Sequence, residues 1–286
     1  MQEEAVTIMR DVVDRGERVG MSMPLTRYPM LSADELLNAA LLKWLIRGVI
    51  PAASFVALFG PSGSGKSFIA LDICAAIANG DDWFRKRVER VPVTYCALEG
   101  APGMSKRARA LAKQQRRPLP ANLRFVTQAV ELQKQKDVRD LADAVIAQGG
   151  QNGLLVIDTL NRAAPGVDEN ASTGMGVLIG ACKELMNRTG CTVLVVHHTG
   201  KDSTKGLRGH SSLFAALDSA IEVNRTNDRR EWSVAKSKDD ADGEKTGFAL
   251  KVVELDDDDA EEVVTSCVIE SDDSPARVRA ASFPKS

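Results

Sequence analysis

The chain has 286 residues, with 37 lysines and arginines against 39 aspartates and glutamates, and so a formal net charge of −2. A hydrophobic fraction of 44% and a charged fraction of 27% are typical of globular proteins and exclude wholesale disorder. No apolar run approaches the roughly 18 residues that cross a bilayer, and the N-terminus lacks an apolar signal core. We therefore expect a cytoplasmic protein with no membrane partner.

Charges and cysteines are distributed unevenly along the chain. Residues 251–286 contain ten acids and four bases, a net −6, so residues 1–250 carry +4. The near-neutral total therefore does not exclude a nucleic-acid partner for the mildly basic body. The five cysteines form no CxxC pair and lie in apolar stretches, which indicates buried thiols in a reducing compartment.

The first 50 residues contain two helical patterns. Residues 1–30 form a polar arm with a short candidate helix for contact between subunits. Ser32 and Glu35 then form a capping box, and the apolar positions within 36–45 share one helical face. We expect this second helix to continue until Pro51 ends it.

Apolar strands and helices then alternate along the chain. The strands are predicted at 55–59, 93–98, 123–127, 154–158 and 192–198, and the helices at 68–79, 104–115, 138–148 and 176–189. This alternation predicts an α/β fold with a mostly parallel central sheet and helices on both faces. After Ser211 the pattern changes to short β-runs, which we expect to form C-terminal antiparallel β-hairpins at one edge. We expect one domain over 31–270 and a flexible tail at 271–286.

A phosphate-binding loop connects the first of these strands to the first of these helices. The sequence matches G-x-x-x-x-G-K-[ST] at Gly60, Pro61, Ser62, Gly63, Ser64, Gly65, Lys66 and Ser67. Glycines let backbone N–H groups turn toward an anion, and the N-terminus of the helix adds partial positive charge. Lys66 would reach the β- and γ-phosphates and Ser67 would ligate Mg²⁺, so we expect a nucleoside triphosphate site.

Three other polar side chains stand at the carboxyl ends of predicted strands, where a parallel sheet has its ligand crevice. Asp158 would hold Mg²⁺, mainly through water. The residue after it is Thr159 rather than Glu, so Glu99 is the candidate for activating the attacking water, with capping of the next helix as its alternative. His198 is a candidate γ-phosphate sensor, with a buried structural role as its alternative.

These elements, in this order, resemble the RecA-like ATPases, and more closely the RepA-type hexameric replicative helicases of plasmids and phages. The resemblance covers roughly residues 45–240 and is carried by GPSGSGKSFIALDIC, YCALEGAPG, LLVIDTLNRAAPGVDENAS, TGCTVLVVHHTGK and LRGHSSLFAALDSAIEV. It implies a RecA-like P-loop NTPase fold, ATP and Mg²⁺ as cofactors, and a homo-oligomeric ring, a hexamer, with ATP held between subunits. The implied activity is ATP-driven translocation on single-stranded DNA, with a replication-initiation protein or primase as a further partner.

The resemblance also assigns roles to single residues. By this resemblance, Lys66 and Ser67 match the phosphate-loop pair, and Glu99 matches the catalytic glutamate. Asp158 matches the magnesium aspartate, and His198 matches the γ-phosphate sensor. Arg107 resembles the arginine that lies against the adenine, and a solvated helix residue is the alternative.

A ring of this kind requires a basic finger from a neighbouring subunit, and here the sequence departs from the family. Ile221 stands where RepA-type proteins carry a finger arginine. Lys236 and Lys238 resemble the trans-acting basic pair of other RecA-like proteins, and Arg225 and Arg230 are rivals. An exposed charge run on a hairpin is an equal alternative.

In such a ring, two loops would face the channel and bind single-stranded DNA through its phosphates. Arg162 lies in the first loop, and the second contains Lys201, Lys205 and Arg208 among glycines. Neither loop contains an aromatic residue, so we expect backbone tracking rather than base stacking, and a solvated loop without a ligand is the alternative. Two other functions remain open, a RecA/RadA-like recombination or repair ATPase without unwinding activity and an ATP-dependent regulatory assembly.

Overall fold

The computed structural model describes residues 30–39, 41–199, 211–227, 229–255 and 263–272. The chain divides into two units, Met1–Lys43 and Trp44–Ser286. In the first unit, helix α1 (Ala33–Leu37) begins with the predicted capping box. The backbone N–H of Ser32 donates to the Glu35 carboxylate, and the backbone N–H of Glu35 donates to the Ser32 hydroxyl. The predicted arm at 1–30 lies outside the described residues except for Met30.

The prediction that this helix continues to Pro51 is wrong. The backbone N–H of Asn38 bonds back to carbonyl groups of the last turn, and Asn38 ends α1 as its C-cap. The chain then forms strand β1 (Trp44–Ile46), which pairs antiparallel with β2 (Ile50–Pro51). Leu36 and Leu37 are exposed, so burial does not stabilise further turns, and short helices without packing are marginal in water.

The second unit alternates strands and helices. Its further strands are β3 (Phe55–Gly60), β4 (Val93–Ala97), β5 (Leu123–Val126), β6 (Leu154–Asp158), β7 (Thr192–His198), β8 (Ser219–Thr226), β9 (Arg229–Ser237), β10 (Lys245–Leu255) and β11 (Val264–Ser271). Its helices are α2 (Lys66–Asn79), α3 (Ala101–Gln115), α4 (Gln135–Ala147), α5 (Ser172–Thr189) and α6 (Ser211–Ala216). The short helix α6 was not predicted.

Nine of the strands form one sheet in the order β11-β10-β9-β8-β3-β7-β6-β4-β5. Strands β3 to β8 run parallel, and β9, β10 and β11 extend the sheet by antiparallel pairing from β8. The predicted mostly parallel sheet with antiparallel strands at its C-terminal edge is therefore confirmed. The carboxyl ends of β3, β4, β6 and β7 meet at one edge because these strands are parallel neighbours in register.

A hydrophobic core lies on each face of the sheet. Val56 and Leu58 pack into a core with α2, while Phe55, Ala57 and Phe59 point to the other face and pack with α4 and α5. The alternation follows from the period of two along a strand. Four of the five cysteines are buried, as predicted, and no helix in the described ranges is long and apolar enough to span a membrane.

Candidate active site

The phosphate loop joins β3 to α2 at the carboxyl edge of the parallel strands. β3 ends at Gly60, and α2 begins at Lys66 with Gly65 as its N-cap residue at φ +105°. That φ favours glycine, because the left-handed region is strained for residues with a Cβ. At Gly60 the restriction is steric, since a Cβ there would collide with the carbonyl oxygen of Val223 in β8. The glycines therefore permit this close path of the loop beside β8.

The middle of the loop is accessible to a ligand. Ser62 and Gly63 are exposed, and Pro61 is half-buried. Ser64 is buried, and its hydroxyl oxygen has no hydrogen-bond partner within the described ranges. The loop thus offers an exposed turn of backbone above a buried, unsatisfied hydroxyl group.

Lys66 is buried at the start of α2. Its ammonium group donates to the carbonyl oxygens of Gly60 at 2.9 Å and Pro61 at 2.8 Å. Burial lowers the pKa of Lys66 to about 8, and the negative charges of Asp158 and Glu99 oppose this decrease. A cation at this position complements the backbone N–H groups of a phosphate loop.

Asp158 ends β6 and is fully buried. The hydroxyl of Tyr95 in the adjacent β4 donates to Asp158 Oδ2 at 2.5 Å, whereas Oδ1 is buried and has no hydrogen-bond partner in the part of the chain described. Burial raises the pKa of Asp158, and hydrogen bonds from Tyr95 and Ser67 together with the charge of Arg107 lower it. An unsatisfied carboxylate oxygen beside a serine hydroxyl fits the oxygen ligands that Mg²⁺ prefers, so Asp158 and Ser67 are able to hold this ion.

Glu99 and His198 lie on either side of Asp158, because β4 and β7 flank β6. The hydroxyl of Thr159 donates to Glu99 Oε2 at 3.0 Å, and His198 Nε2 lies 3.9 Å from the same oxygen. The Glu99 side chain is 43% exposed, so water reaches its carboxylate. The structure brings these groups together with Lys66, and their individual roles remain predictions.

Arg107 projects from α3 toward the first turn of α2. Its guanidinium carbon lies 5.1 Å from the centre of the Phe68 ring, and its Nη1 atom is buried without a hydrogen-bond partner among the described residues. Its charge also acts on Asp158, whose pKa it lowers. Arg107 therefore lies on the nucleotide side of the sheet, and its contact with an adenine stays a prediction.

Of the candidate DNA-binding residues, only Arg162 lies in the described part of the chain. Arg162 is exposed in the segment that follows β6. Within the same segment the side-chain amide of Asn161 donates to the buried carboxylate of Glu169 at 3.2 Å, which ties the two ends of the loop together. The basic residues of the second loop lie outside the described residues: Lys201, Lys205 and Arg208.

Lys236 and Lys238 do not lie at the phosphate loop of their own chain. Lys236 pairs with Ala220 near the start of β8, so both lysines are at the end of the sheet opposite the loop. The ammonium of Lys236 donates to the carbonyl oxygen of Phe214 at 2.6 Å, at the end of α6. Lys238 forms a 2.8 Å ion pair with Asp218. Both lysines thus have partners within the chain.

The two rival arginines differ in their surroundings. Arg225 Nε donates to the carbonyl oxygen of Asn227 at 2.8 Å and so braces the β8–β9 turn. Arg230 instead lies against Gly65 of the phosphate loop. Arg230 is therefore beside the phosphate loop of its own subunit. Sequence reasoning did not identify this position, because it results from the pairing of β8 with β3.

Two residues of the site were missed by sequence reasoning. Tyr95 lies in an apolar strand, where an aromatic residue usually indicates core packing. The hydroxyl group could have indicated a polar role for Tyr95, because a buried tyrosine generally requires a hydrogen-bond partner. Thr159 was noted only as a departure from the usual glutamate, although its hydroxyl contacts the proposed catalytic carboxylate.

The comparisons with known proteins agree with this geometry. The AAA domain family matches residues 28–204, more than half of the chain. The KaiC-like protein PH0186 from the hyperthermophilic archaeon Pyrococcus horikoshii OT3 is similar in structure, with 17% sequence identity and a TM-score of 0.50 over 72% of this chain and 90% of that chain. This likeness confirms the predicted RecA-like fold. The chain therefore belongs to the AAA domain family and is a RecA-like P-loop ATPase.

Proposed function

We propose that this chain is an ATP-hydrolysing, ring-forming motor that moves along single-stranded DNA, and that it is a replicative DNA helicase of the RepA type. The observation that carries the proposal is the convergence of Lys66, Glu99 and Asp158 at one edge of the sheet. Hydrolysis of a nucleoside triphosphate requires a cation that binds the phosphates, a carboxylate that activates the water and a carboxylate that holds the metal.

In this proposal ATP lies over the phosphate loop, and Ser67 with Asp158 holds Mg²⁺. The bound ion would neutralise charge on the phosphate oxygens. Glu99 orients the attacking water and accepts its proton, and the hydrogen bond from Thr159 fixes one carboxylate oxygen. Arg107 would lie against the adenine, as the resemblance to the RepA-type helicases implies.

The sequence connects this site directly to both candidate DNA loops. Arg162 follows Asp158 by four residues, and Lys201 follows His198 by three. His198 Nε2 lies 3.9 Å from Glu99 Oε2, so in this proposal His198 is beside the γ-phosphate. Loss of the γ-phosphate would then change the contacts of His198, which precedes the basic loop. This coupling is what a translocating motor needs.

The central experiment measures ATP hydrolysis with and without single-stranded DNA on samples of known oligomeric mass. We expect DNA to accelerate hydrolysis several-fold, Lys66→Ala to abolish it, and Lys251→Ala, at an exposed lysine of β10, to leave it unchanged. Strand displacement from a forked duplex then tests unwinding. Stimulation without displacement favours the recombination or repair ATPase, and a rate that DNA does not change contradicts both DNA motors.

The ring requires a finger from a neighbouring subunit, and we assign this role to Lys236 and Lys238. Their position away from their own loop supports action in trans, although they must then exchange partners such as Asp218. Mixing Lys236→Ala chains with Glu99→Gln chains tests the assignment, because each Glu99→Gln chain still supplies an intact Lys236. Recovery of some hydrolysis is expected, and no recovery in intact mixed oligomers removes the assignment.

A further inference from the structure

Arg230 lies in the β8–β9 hairpin, which passes the phosphate loop of its own chain. The hairpin extends beyond the carboxyl end of β3, because Phe59 pairs with Glu222 and the loop begins one residue later. A Cβ on Gly65 would lie 3.5 Å from Arg230 Cδ and 3.4 Å from Phe248 Cε2. Both side chains therefore pack closely against the last glycine of the loop.

The charge of Arg230 is not paired within the described part of the chain. Its Nε atom is buried without a hydrogen-bond partner, and none of the described carboxylates forms an ion pair with it. Phe248, its partner in β10, offers only a buried ring, and Arg225, its partner in β8, is also a cation.

The loop beside Arg230 is also electropositive. The N-terminus of α2 carries partial positive charge, and Lys66 lies in its first turn. A buried guanidinium N–H that lacks an acceptor is unfavourable, and so is a guanidinium beside the positive end of a helix. An anion bound to the loop would relieve both.

We propose that Arg230 is a phosphate-binding residue of its own subunit and acts in cis beside Lys66. The guanidinium would donate charge-assisted hydrogen bonds to the oxygens of the polyphosphate chain, next to the backbone N–H groups of the loop. This role rests on the proposed nucleotide site, and it differs from that of a finger supplied by a neighbouring subunit. Phe248 holds the aliphatic stem of Arg230 against Gly65, so the cation approaches the loop along a fixed path.

The first test measures the affinity of the full-length chain for ATP and ADP by titration calorimetry. Arg230→Met keeps the packing stem and removes the charge, and we expect it to weaken binding about 10- to 100-fold, with Arg230→Lys partly restoring it. Arg229→Met is the matched control, because neighbouring residues of a strand point to opposite faces, and it should bind as the unmodified chain does. Without nucleotide, Arg230→Met should unfold at the temperature of the unmodified chain or above it, because the guanidinium that it removes lacks an acceptor there.

The second test separates cis from trans action. In oligomers mixed from Arg230→Met and Lys66→Ala chains, every phosphate loop lacks one of its own two cations. Action in cis therefore predicts no recovery of hydrolysis, whereas a finger acting in trans predicts recovery at each Arg230→Met loop that faces a Lys66→Ala neighbour. Native mass measurement verifies that mixed oligomers have formed.

The outcomes distinguish this inference from the proposed function. Equal ATP affinity of the Arg230→Met and Arg229→Met variants overturns the inference, and so does recovery in the mixed oligomers. If Lys66→Ala loses ATP binding while Arg230→Met retains it, only the inference fails. If Lys66→Ala binds ATP normally, the proposed nucleotide site fails and the inference fails with it.

Discussion

The environment of Asp158 differs between its two carboxylate oxygens. Tyr95 donates a hydrogen bond to Oδ2, while Oδ1 is buried with no such partner in the described ranges. One oxygen is thereby held in position and the other remains available to water or a ligand bound to the metal. Such outer hydrogen bonds orient metal ligands and commonly change metal affinity 10- to 100-fold when they are removed. Tyr95 is therefore part of the site although it would touch neither metal nor nucleotide.

The variant Tyr95→Phe tests this positioning role. It keeps the ring in the core and removes only the hydroxyl, so Asp158 loses its orienting hydrogen bond. We expect the Mg²⁺ concentration that gives half-maximal hydrolysis to rise by about tenfold, with the rate largely restored at saturating Mg²⁺. Phe125→Leu, at the ring that packs 5.9 Å from Tyr95, is the control for altered packing. An unchanged Mg²⁺ requirement would contradict the role.

Thr159 acts on the other carboxylate of the site. Its hydroxyl donates to Glu99 Oε2 at 3.0 Å, and Thr159→Val removes this bond with little change in shape. We expect the maximal hydrolysis rate to fall about 3- to 30-fold while ATP affinity stays the same, because a less well oriented base affects the chemical step. Rapid-quench kinetics measures the hydrolysis rate, and separate binding measurements give the ATP affinity. A fall in affinity of the same size would show that Thr159 supports binding instead.

At the scale of elements, the predictions succeeded where one strand or helix had a strong pattern. The strands β3, β4, β6 and β7 are apolar runs bounded by glycine or polar residues, and their polar ends mark the crevice. The amphipathic pattern at 36–45 failed because Leu36 and Leu37 are exposed rather than packed, and the last residues of the pattern belong to β1 instead. Helix α6 is too short for its periodicity to be read. The cis position of Arg230 depends on strand order, which local patterns do not contain.

Helix α2 carries one acidic residue, Asp72, among many buried apolar ones. Its Oδ2 accepts a hydrogen bond from Trp83 Nε1 at 2.9 Å. Burial raises the pKa of Asp72 from 3.8 to about 6, although the hydrogen bond opposes the increase. The folded chain therefore holds the proton more tightly than the unfolded chain between about pH 4 and 6. Stability contributed by this group is largest below about pH 4 and is lost as the pH rises through 6.

The variant Asp72→Asn should therefore stabilise the protein at neutral pH. Asparagine keeps an acceptor for Trp83 and never ionises, so we expect the free energy of unfolding at pH 7 to increase by about 1–2 kcal/mol. The difference from the unmodified chain should shrink as the pH falls from 6 to 4. Urea unfolding at several pH values measures it, with Asp140→Asn in the exposed part of α4 as control. A lower free energy of unfolding for Asp72→Asn than for the unmodified chain at pH 7 would contradict this prediction.

On the scale of the whole second unit, an aromatic cluster joins the phosphate-loop half of the sheet to its antiparallel extension. Trp232 in β9 lies 4.6 Å from Trp83 and 5.4 Å from Phe84, measured between ring centres. Trp83 follows α2 and bonds to Asp72, so the cluster connects the helix that begins at the loop with the strand that carries Arg230. We infer that the ATPase core and the β9–β11 extension unfold together.

The variant Trp232→Ala tests whether the unit is a single cooperative body. Trp232 is 1% exposed, and its removal should lower the free energy of unfolding by about 3–5 kcal/mol and the melting temperature by about 10 °C. Val252→Ala in β10, at a side chain 63% exposed, should change stability by less than about 0.5 kcal/mol. Because the two halves share the cluster, calorimetry should show one shifted transition for Trp232→Ala. Two separate transitions, with only one displaced, would mean that the extension folds independently of the ATPase core.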